Sequence, residues 1–337
     1  IRLGDIVPLT VDARYLFGAP GAGLAVEGDL RLSALDKLDA FPGYVFGRYD
    51  EPFSPWRDAL PDAGMTDDGG QATLSVALPE LGEAANRPLE AQVSIRVKEG
   101  SGRPVERDIT RTVLPVSPVI GIKPGFEGGV VPQGDLAAFQ VIAVGPDTKP
   151  ATRKVRWTLN RLETNYQWYS LYGQWNWEVT TTRAEVASGD LTLTAEGPEI
   201  ITAPVDWGNY ELVIEAADGA YTASAVSFYA GWYAPADAAK TPDTLDLTLD
   251  KPAYRPGETA KVRIEPRADG IALITVLSNR LIDMKAVPVT AGENLIDLPV
   301  TDDWGAGAYV TASVIRPLSA DAGRTPVRAR GLSYAPV

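Results

Sequence analysis

The side chains of this chain that could do chemistry are acidic and aromatic. Asp67-Asp68 and Asp302-Asp303 are adjacent carboxylates, and Asp206 stands beside Trp207. Paired carboxylates can hold calcium or, across a cleft, hydrolyse a glycosidic bond. Trp157, Tyr166, Trp168, Tyr169, Trp175 and Trp177 crowd one stretch together with Gln167, Gln174 and Asn176. Aromatic faces of this kind stack on apolar patches of sugars, and amide side chains supply polar contacts. The absences are equally restrictive: the chain has 0 His and 0 Cys. Ser-His-Asp and Cys-His triads, disulfides, thiolate nucleophiles and the usual zinc sites are excluded. A cysteine-free chain is also indifferent to redox compartment.

The acids read better as turn residues than as ligands. "TDDGGQATLSVALP", from Thr66, places Asp67 and Asp68 before a strand at Ala72–Leu78, without the regular oxygen spacing of a calcium loop. Asp206 and Asp302-Asp303 stand at strand entries, where Asp commonly bonds nearby backbone. Nothing in the sequence sets two acids across a site. No catalytic residue, metal ligand or cofactor is assigned, and the chain is expected not to be an enzyme. The aromatic stretch reads as two strands around a loop near Leu171-Tyr172-Gly173, its rings expected in interdomain packing or ligand contact.

The elements that carry these residues are short strands. In "LDKPAYRPGETAKVRIEP", Leu245, Leu247 and Leu249 alternate with Asp246, Thr248 and Asp250, and Ala260, Val262 and Ile264 alternate with Lys261, Arg263 and Glu265. That is the period of two of a half-buried strand, with one apolar and one wet face. Pro256 sets φ for a turn and Gly257 supplies the positive φ a type II turn needs next. "IALITVLSN", "ENLIDLPV" and "AYVTASVIRP" continue the pattern. The one helix-like spacing is Leu32, Leu35, Leu38.

A repeat underlies the turns. Lys123-Pro124 leads to Pro132 and Gly134, as Lys251-Pro252 leads to Pro256 and Gly257; "VDWGNYELVIEA" mirrors "DDWGAGAYVTASV". Trp207 and Trp304 are thereby matched, as are Tyr210 and Tyr309. In the first segment, two strands are expected to pair around Gly18-Ala19-Pro20-Gly21. Punctuation at Leu114–Pro118 and Ala234–Asp243 divides the chain into 1–116, 117–238 with an insertion at about 157–178, and 239–337. The expected fold is all-β, three tandem immunoglobulin-like antiparallel sandwiches of roughly 100 residues each.

Composition agrees with that fold. The chain has 337 residues, 45% of them hydrophobic, enough for several cores, and its 27 Pro and 32 Gly imply many turns. A net charge of −13 without a basic run excludes a phosphate-reading surface, so no nucleic-acid partner is expected. The uncharged stretch Gly219–Ala236 contains Pro235 and alternates like a strand, so no spanning helix is expected there. "IRLGDIVPL" lacks the pattern of a signal peptide. The first residue is Ile1 and the last run is "GLSYAPV", which reads as a piece of a longer protein.

The Y-x-P-G-E-x-A-x-V-x-I run from Tyr254 resembles the entry of macroglobulin-like domains in the α2-macroglobulin and complement family. "ARYLFGAPGAGLAVEGDLRL" resembles another such domain, and Val155–Glu178 resembles the aromatic insertion of the bacterial branch. The resemblance implies the scaffold of an endopeptidase inhibitor that traps proteases after cleavage of an exposed bait segment. It implies partners in the form of target proteases and other domains of the parent chain, with the fragment itself monomeric. It also implies a periplasmic parent, lipid-anchored to the inner membrane. The family's thioester needs a Cys, so it is not in these residues. Two stretches suit a bait by composition: Ala234–Thr241, and "LSADAGRTPVRARG" at Leu318–Gly331 with Arg324, Arg328 and Arg330. The alternatives are a cell-surface adhesion or carbohydrate-binding protein built from similar sandwiches, and a carboxylate-based hydrolase.

Overall fold

The structure is a computed structural model. It describes residues 1–60, 64–82, 85–99, 102, 104–171, 174–232, 241, 243–315 and 328–337, with the side chains of 164–177 excepted. Among these residues the strands pair antiparallel, apart from one short parallel strand pair and two isolated parallel bridges, Arg2 with Leu114 and Thr244 with Arg330, and Asp302–Trp304 form a 3-10 turn. No helix among them is long and apolar enough to cross a membrane; Ala223–Ala230, inside the uncharged stretch, is a strand.

The third segment is the plainest sandwich. Strands β16 (Leu247–Leu249), β17 (Thr259–Ile264) and β20 (Asn294–Pro299) form one sheet, ordered β16-β17-β20. β18 (Gly270–Leu277), β19 (Leu281–Val289), β21 (Gly307–Ile315) and β22 (Arg328–Pro336) form the other, ordered β19-β18-β21-β22. The alternation seen in the sequence is the packing rule. Leu247, Leu249, Val262 and Ile264 from one sheet meet Ile274, Val276, Val310 and Ala312 from the other, all nearly solvent-free. Each such aliphatic burial stabilises by about 1.5–3 kcal/mol relative to exposure. Trp304 is sealed in this core.

The second segment contains β8 (Val119–Pro124), β9 (Val130–Val131), β10 (Leu136–Val144), β11 (Arg153–Leu171), β12 (Gln174–Leu193), β13 (Glu199–Pro204), β14 (Gly208–Ala216) and β15 (Ala223–Ala230). The first contains β1 (Ile6–Asp12), β2 (Ala25–Ala34), β3 (Val45–Phe46), β4 (Trp56–Ala59), β5 (Gln71–Ala77), β6 (Leu89–Lys98) and β7 (Val105–Val113). Its sheets are β1-β5 and β4-β2-β6-β7. β3 does not join them: it pairs with β8, giving the order β13-β10-β8-β3 opposite β12-β11-β14-β15-β9.

Several expectations change. Leu32 lies in β2 and no helix forms at Leu32–Leu38, because Leu30 and Leu32 are already the inward positions of a strand. β1 and β2 do not pair around Gly18–Gly21; β1 pairs with β5 and β2 with β4 and β6, so the connection crosses from one sheet to the other. Trp207 and Trp304 are not structural equivalents. Trp304 fills its own core, whereas Trp207 stands outside the core of the second segment. Tyr210 is buried and Tyr309 exposed.

The turn repeat is threefold, where the Lys-Pro spacing predicts two copies. Asp5, Asp135 and Glu258 donate backbone N–H to the carbonyls of Arg2, Pro132 and Arg255. The glycines within these turns, Gly4, Gly134 and Gly257, have φ of 83°, 81° and 91°. The first copy carries no proline in its turn: Leu3 occupies the place of Pro256.

Candidate functional site

The turn residues are backbone devices. Gly257 N–H donates to the Val300 carbonyl and Val300 N–H to the Glu258 carbonyl, both at 2.8 Å. Gly134 and Val205 repeat the arrangement through Asp135 at 3.0 and 3.1 Å. Pro132 opens its turn, and Pro256 occupies the second turn position ahead of Gly257. Asp67 does the same kind of work: its Oδ1 accepts the amides of Gly69 at 2.9 Å and Gln71 at 2.8 Å. Asp206 accepts from the Trp207 amide at 2.8 Å and from Gln133 Nε2 at 2.7 Å, and these bonds hold its carboxyl below the usual carboxylate range.

Trp157 is placed at the margin of the second core, paired opposite Gly189, whose missing side chain makes room for the indole. Tyr166, Trp168, Tyr169, Trp175 and Trp177 have side chains outside the described residues. Their backbones form the long hairpin of β11 and β12, with Trp168 paired to Trp177 and Tyr169 to Asn176.

Polar chemistry concentrates instead at two seams, neither of which the sequence reading identified. The first is built by residues 45–51 of the first segment lying on the second. Gly47 N–H donates to Ser224 Oγ at 2.8 Å, Ser224 Oγ to the Ile120 carbonyl at 2.5 Å, and Ala225 N–H to the Gly47 carbonyl at 3.2 Å. Thus β3 extends β8 while the next residue bonds β15, stapling both sheets of the second sandwich. Beyond the staple, Tyr49 Oη donates to Glu211 Oε1 at 2.5 Å, and Arg183 Nε binds Glu211 Oε2 at 2.8 Å. Glu211 is fully buried, so these bonds are what make its burial tolerable. Arg48 grips Asp50 through two bonds at 2.9 and 2.8 Å. Tyr221 Oη donates to Glu51 Oε1 at 2.7 Å.

Burial together with these carboxylate acceptors pushes both Tyr49 and Tyr221 up to about 12. The Arg48 hydrogen bond is the main cause that keeps Asp50 below the ordinary carboxylate value. A surface depression of about 510 Å³ adjoins this cluster, lined by Glu51, Phe53, Trp56 and Arg87 among others. Its polar groups are engaged internally: Glu51 with Tyr221 and Asn86, and Arg87 with the Glu51 carbonyl.

The second seam joins the second and third segments. Arg263 belongs to the face of β17 expected to be wet, yet it is 3% exposed. Its guanidinium carbon lies 4.0 Å from the ring centroid of Trp232 and 5.2 Å from that of Trp207. Nη2 donates to Gln133 Oε1 at 2.5 Å, and Nε approaches Glu293 Oε1 to 2.8 Å as an ion pair outside hydrogen-bond alignment. Thr248, its cross-strand neighbour, is buried with it. Trp207 is itself fixed by its indole N–H donating to Tyr229 Oη at 2.8 Å. The seam therefore packs one cation against two indoles of the preceding segment, an attraction of about 2 kcal/mol when desolvated.

Of the two candidate bait stretches, 233–240 and 316–327 lie outside the described residues. Arg328 and Arg330 are not in a loop: they begin β22, in register with Ile315 and Ser313 of β21. This strand also holds the linker, because Leu245 N–H donates to the Arg330 carbonyl and Arg330 N–H to the Asp243 carbonyl, both at 2.8 Å.

Residues 1–115 match the bacterial α2-macroglobulin MG5 domain, 121–232 bacterial macroglobulin domain 6, and 245–335 the α2-macroglobulin bait region domain. An α2-macroglobulin of Xylella fastidiosa is 33% identical over 98% of this chain, and that of Escherichia coli K12 is 28% identical over 99%. The chain spans about one fifth of their lengths, 20% and 21%. The native conformation of E. coli α2-macroglobulin, solved by cryo-EM, matches with a TM-score of 0.60 and 26% identity. It covers 100% of this chain and 22% of that one. The methylamine-reacted Salmonella protein matches with a TM-score of 0.60 and 27% identity, over the same shares of the two chains. With three successive domain families matched in order, this chain belongs to the bacterial α2-macroglobulin family.

Proposed function

We propose that this chain is the bait-bearing scaffold of a bacterial endopeptidase inhibitor, three macroglobulin-like sandwiches at 1–116, 117–238 and 239–337. Its parent traps proteases that cut it, resides in the periplasm and is anchored by lipid to the inner membrane. The observation that carries the reading is the match of 245–335 to a bait region domain. Within that span, the Arg-bearing stretch 318–327 connects β21 to β22 in sequence. The strand that follows it is hydrogen-bonded to the linker at Asp243–Leu245, and the linker runs directly into the sheet that carries Arg263.

In this arrangement the three segments have no catalytic part. They present the bait, and the Arg263 seam ties its domain to the preceding sandwich. The bait reading is tested by limited proteolysis of the 337-residue chain. Proteases of several specificities should make their first cuts within 318–327; resistance there removes the stretch as bait. Inhibition itself is measured on the full-length parent, by loss of protease activity toward a large substrate while a small chromogenic substrate is still turned over.

A further inference from the structure

The threefold turn is a common ruler for the three sandwiches. Counting from Asp5, Asp135 and Glu258, Leu9 corresponds to Phe139 and Val262, and Val11 to Val141 and Ile264. In the second segment Phe139 is paired opposite Pro124 and Val141 opposite Ile122 of β8. In the third, Val262 is paired opposite Leu249 and Ile264 opposite Leu247 of β16. β1 has a partner on one side only, β5, and among the described residues its other edge has no strand.

The inward side chains register that difference. Phe139, Val141, Val262 and Ile264 are at most 1% exposed. Leu9 and Val11 point into their core but stay only partly buried. The corresponding strands of the other copies supply Ile122, Leu247 and Leu249 as cover, each at most 4% exposed.

The backbone is poised in the same way. Leu78 N–H donates to the Asp5 carbonyl, and Ala13 N–H to the Gly70 carbonyl. By the alternation of an antiparallel ladder, the amides of odd-numbered residues face β5, and those of Thr10 and Asp12 face outward. Their counterparts are Arg263 and Glu265, and the latter donates to the Asp246 carbonyl ahead of β16. Pro8, the strand's proline, corresponds to Lys261, whose amide is capped by the Asp250 side chain at 2.8 Å. Proline is therefore accommodated where the matched amide makes no ladder bond, and the edge beyond it is left able to pair.

We propose that the outer edge of β1 from Leu9 to Asp12 is the docking site of an extended strand of the full-length chain. That strand runs antiparallel to β1 and sets apolar side chains opposite Leu9 and Val11. In both other copies the equivalent strand precedes its turn in sequence, with only the two-residue β9 between them in the second, so the occupant is the parent segment ahead of Arg2. This chain covers only 20–21% of its relatives' lengths. A free edge with half-covered aliphatic residues is also a template for unwanted pairing, which the added strand removes. The free edge follows from sheet pairing, burial and backbone hydrogen bonds and is independent of protease trapping.

Amide hydrogen exchange, resolved to single residues, tests it on the 337-residue chain and on the full-length parent. The Thr10 and Asp12 amides should exchange about tenfold or more slower in the parent, while Leu9 and Val11 amides are protected in both. Equal exchange of Thr10 and Asp12 in the two proteins overturns the proposal. Protection that grows with concentration in the 337-residue chain and matches that of the parent also overturns it, in favour of a second copy as occupant. Thr10→Pro removes an outward amide; it should lower the stability of the parent more than that of the shorter chain, and an equal effect in both counts against an added strand.

Discussion

The guanidinium of Arg263, on the bait-region segment, is packed face-on against Trp232 of the preceding segment at 4.0 Å. A cation that alternation assigns to solvent is thereby desolvated at 3% exposure. Burying an unpaired charge costs several kcal/mol, so the seam holds only if its partners compensate. Trp207 on a second side, Gln133 at Nη2 and Glu293 beside Nε are those partners. One packed side chain thus makes the relative placement of two sandwiches sensitive to single substitutions.

Arg263→Lys should destabilise this seam although charge is kept, because an ammonium cannot stack on an indole with the planar contact of a guanidinium. The expected loss is about 1–2 kcal/mol, read as a lower urea midpoint in tryptophan fluorescence. Glu293→Gln should cost a similar amount. Glu293 is 41% exposed, so water partly replaces it and the 3–5 kcal/mol typical of a fully buried pair is not reached. A wild-type midpoint in both variants would remove the seam as an energetic link.

Glycine substitutions should separate two kinds of backbone constraint. Gly134 and Gly257 have open space around a new Cβ, so alanine there costs only the positive φ, about 1–2 kcal/mol. A Cβ at Gly331 would stand 2.5 Å from the Leu245 carbonyl oxygen. Gly331→Ala should therefore push the linker off β22 and open the Leu245 and Arg330 amides to exchange, an effect the two turn variants should lack.

Alkaline pH should loosen the first seam. Tyr49 and Tyr221 titrate at about 12 in the folded chain, above the ordinary value near 10. A raised folded pKa means the native state holds the proton more tightly. The stabilisation is complete below about 10 and is lost as pH rises through about 12. Tyr49→Phe and Tyr221→Phe should each remove one late-titrating phenol from the phenolate absorbance profile.

Glu265 offers a substitution expected to stabilise. Burial, reinforced by Asp246 and opposed by Arg161 and Arg267, raises its carboxyl above the usual range. The native state then favours the protonated form, so its stabilising contribution is present below the ordinary carboxylate value and is lost as pH rises through the folded one. At neutral pH the ionised group is a burden that Glu265→Gln removes. The variant should unfold at higher temperature than wild type at pH 7, with the gain vanishing in acid. A neutral-pH loss would overturn this account.

Much of the fold is written locally. Leu247, Leu249, Val262 and Ile264 alternate because a pleated strand has two faces, and Gly134 and Gly257 stand where only glycine is unstrained. These requirements act within a few residues, so the sequence alone determined most strands, the turns at Gly134 and Gly257, and the absence of a thiol or imidazole centre. It could not determine what covers a face. Arg263 and Thr248 carry the polar signature of a wet surface, and only the apposition of Trp232 and Trp207 makes that surface an interface. Nor could it place Val45–Phe46 on β8, because nothing local distinguishes a strand kept by its own sheet from one lent to the next. Hydrogen-bonded edges and buried charges depend on residues distant in the chain, and their partners were decided by tertiary structure.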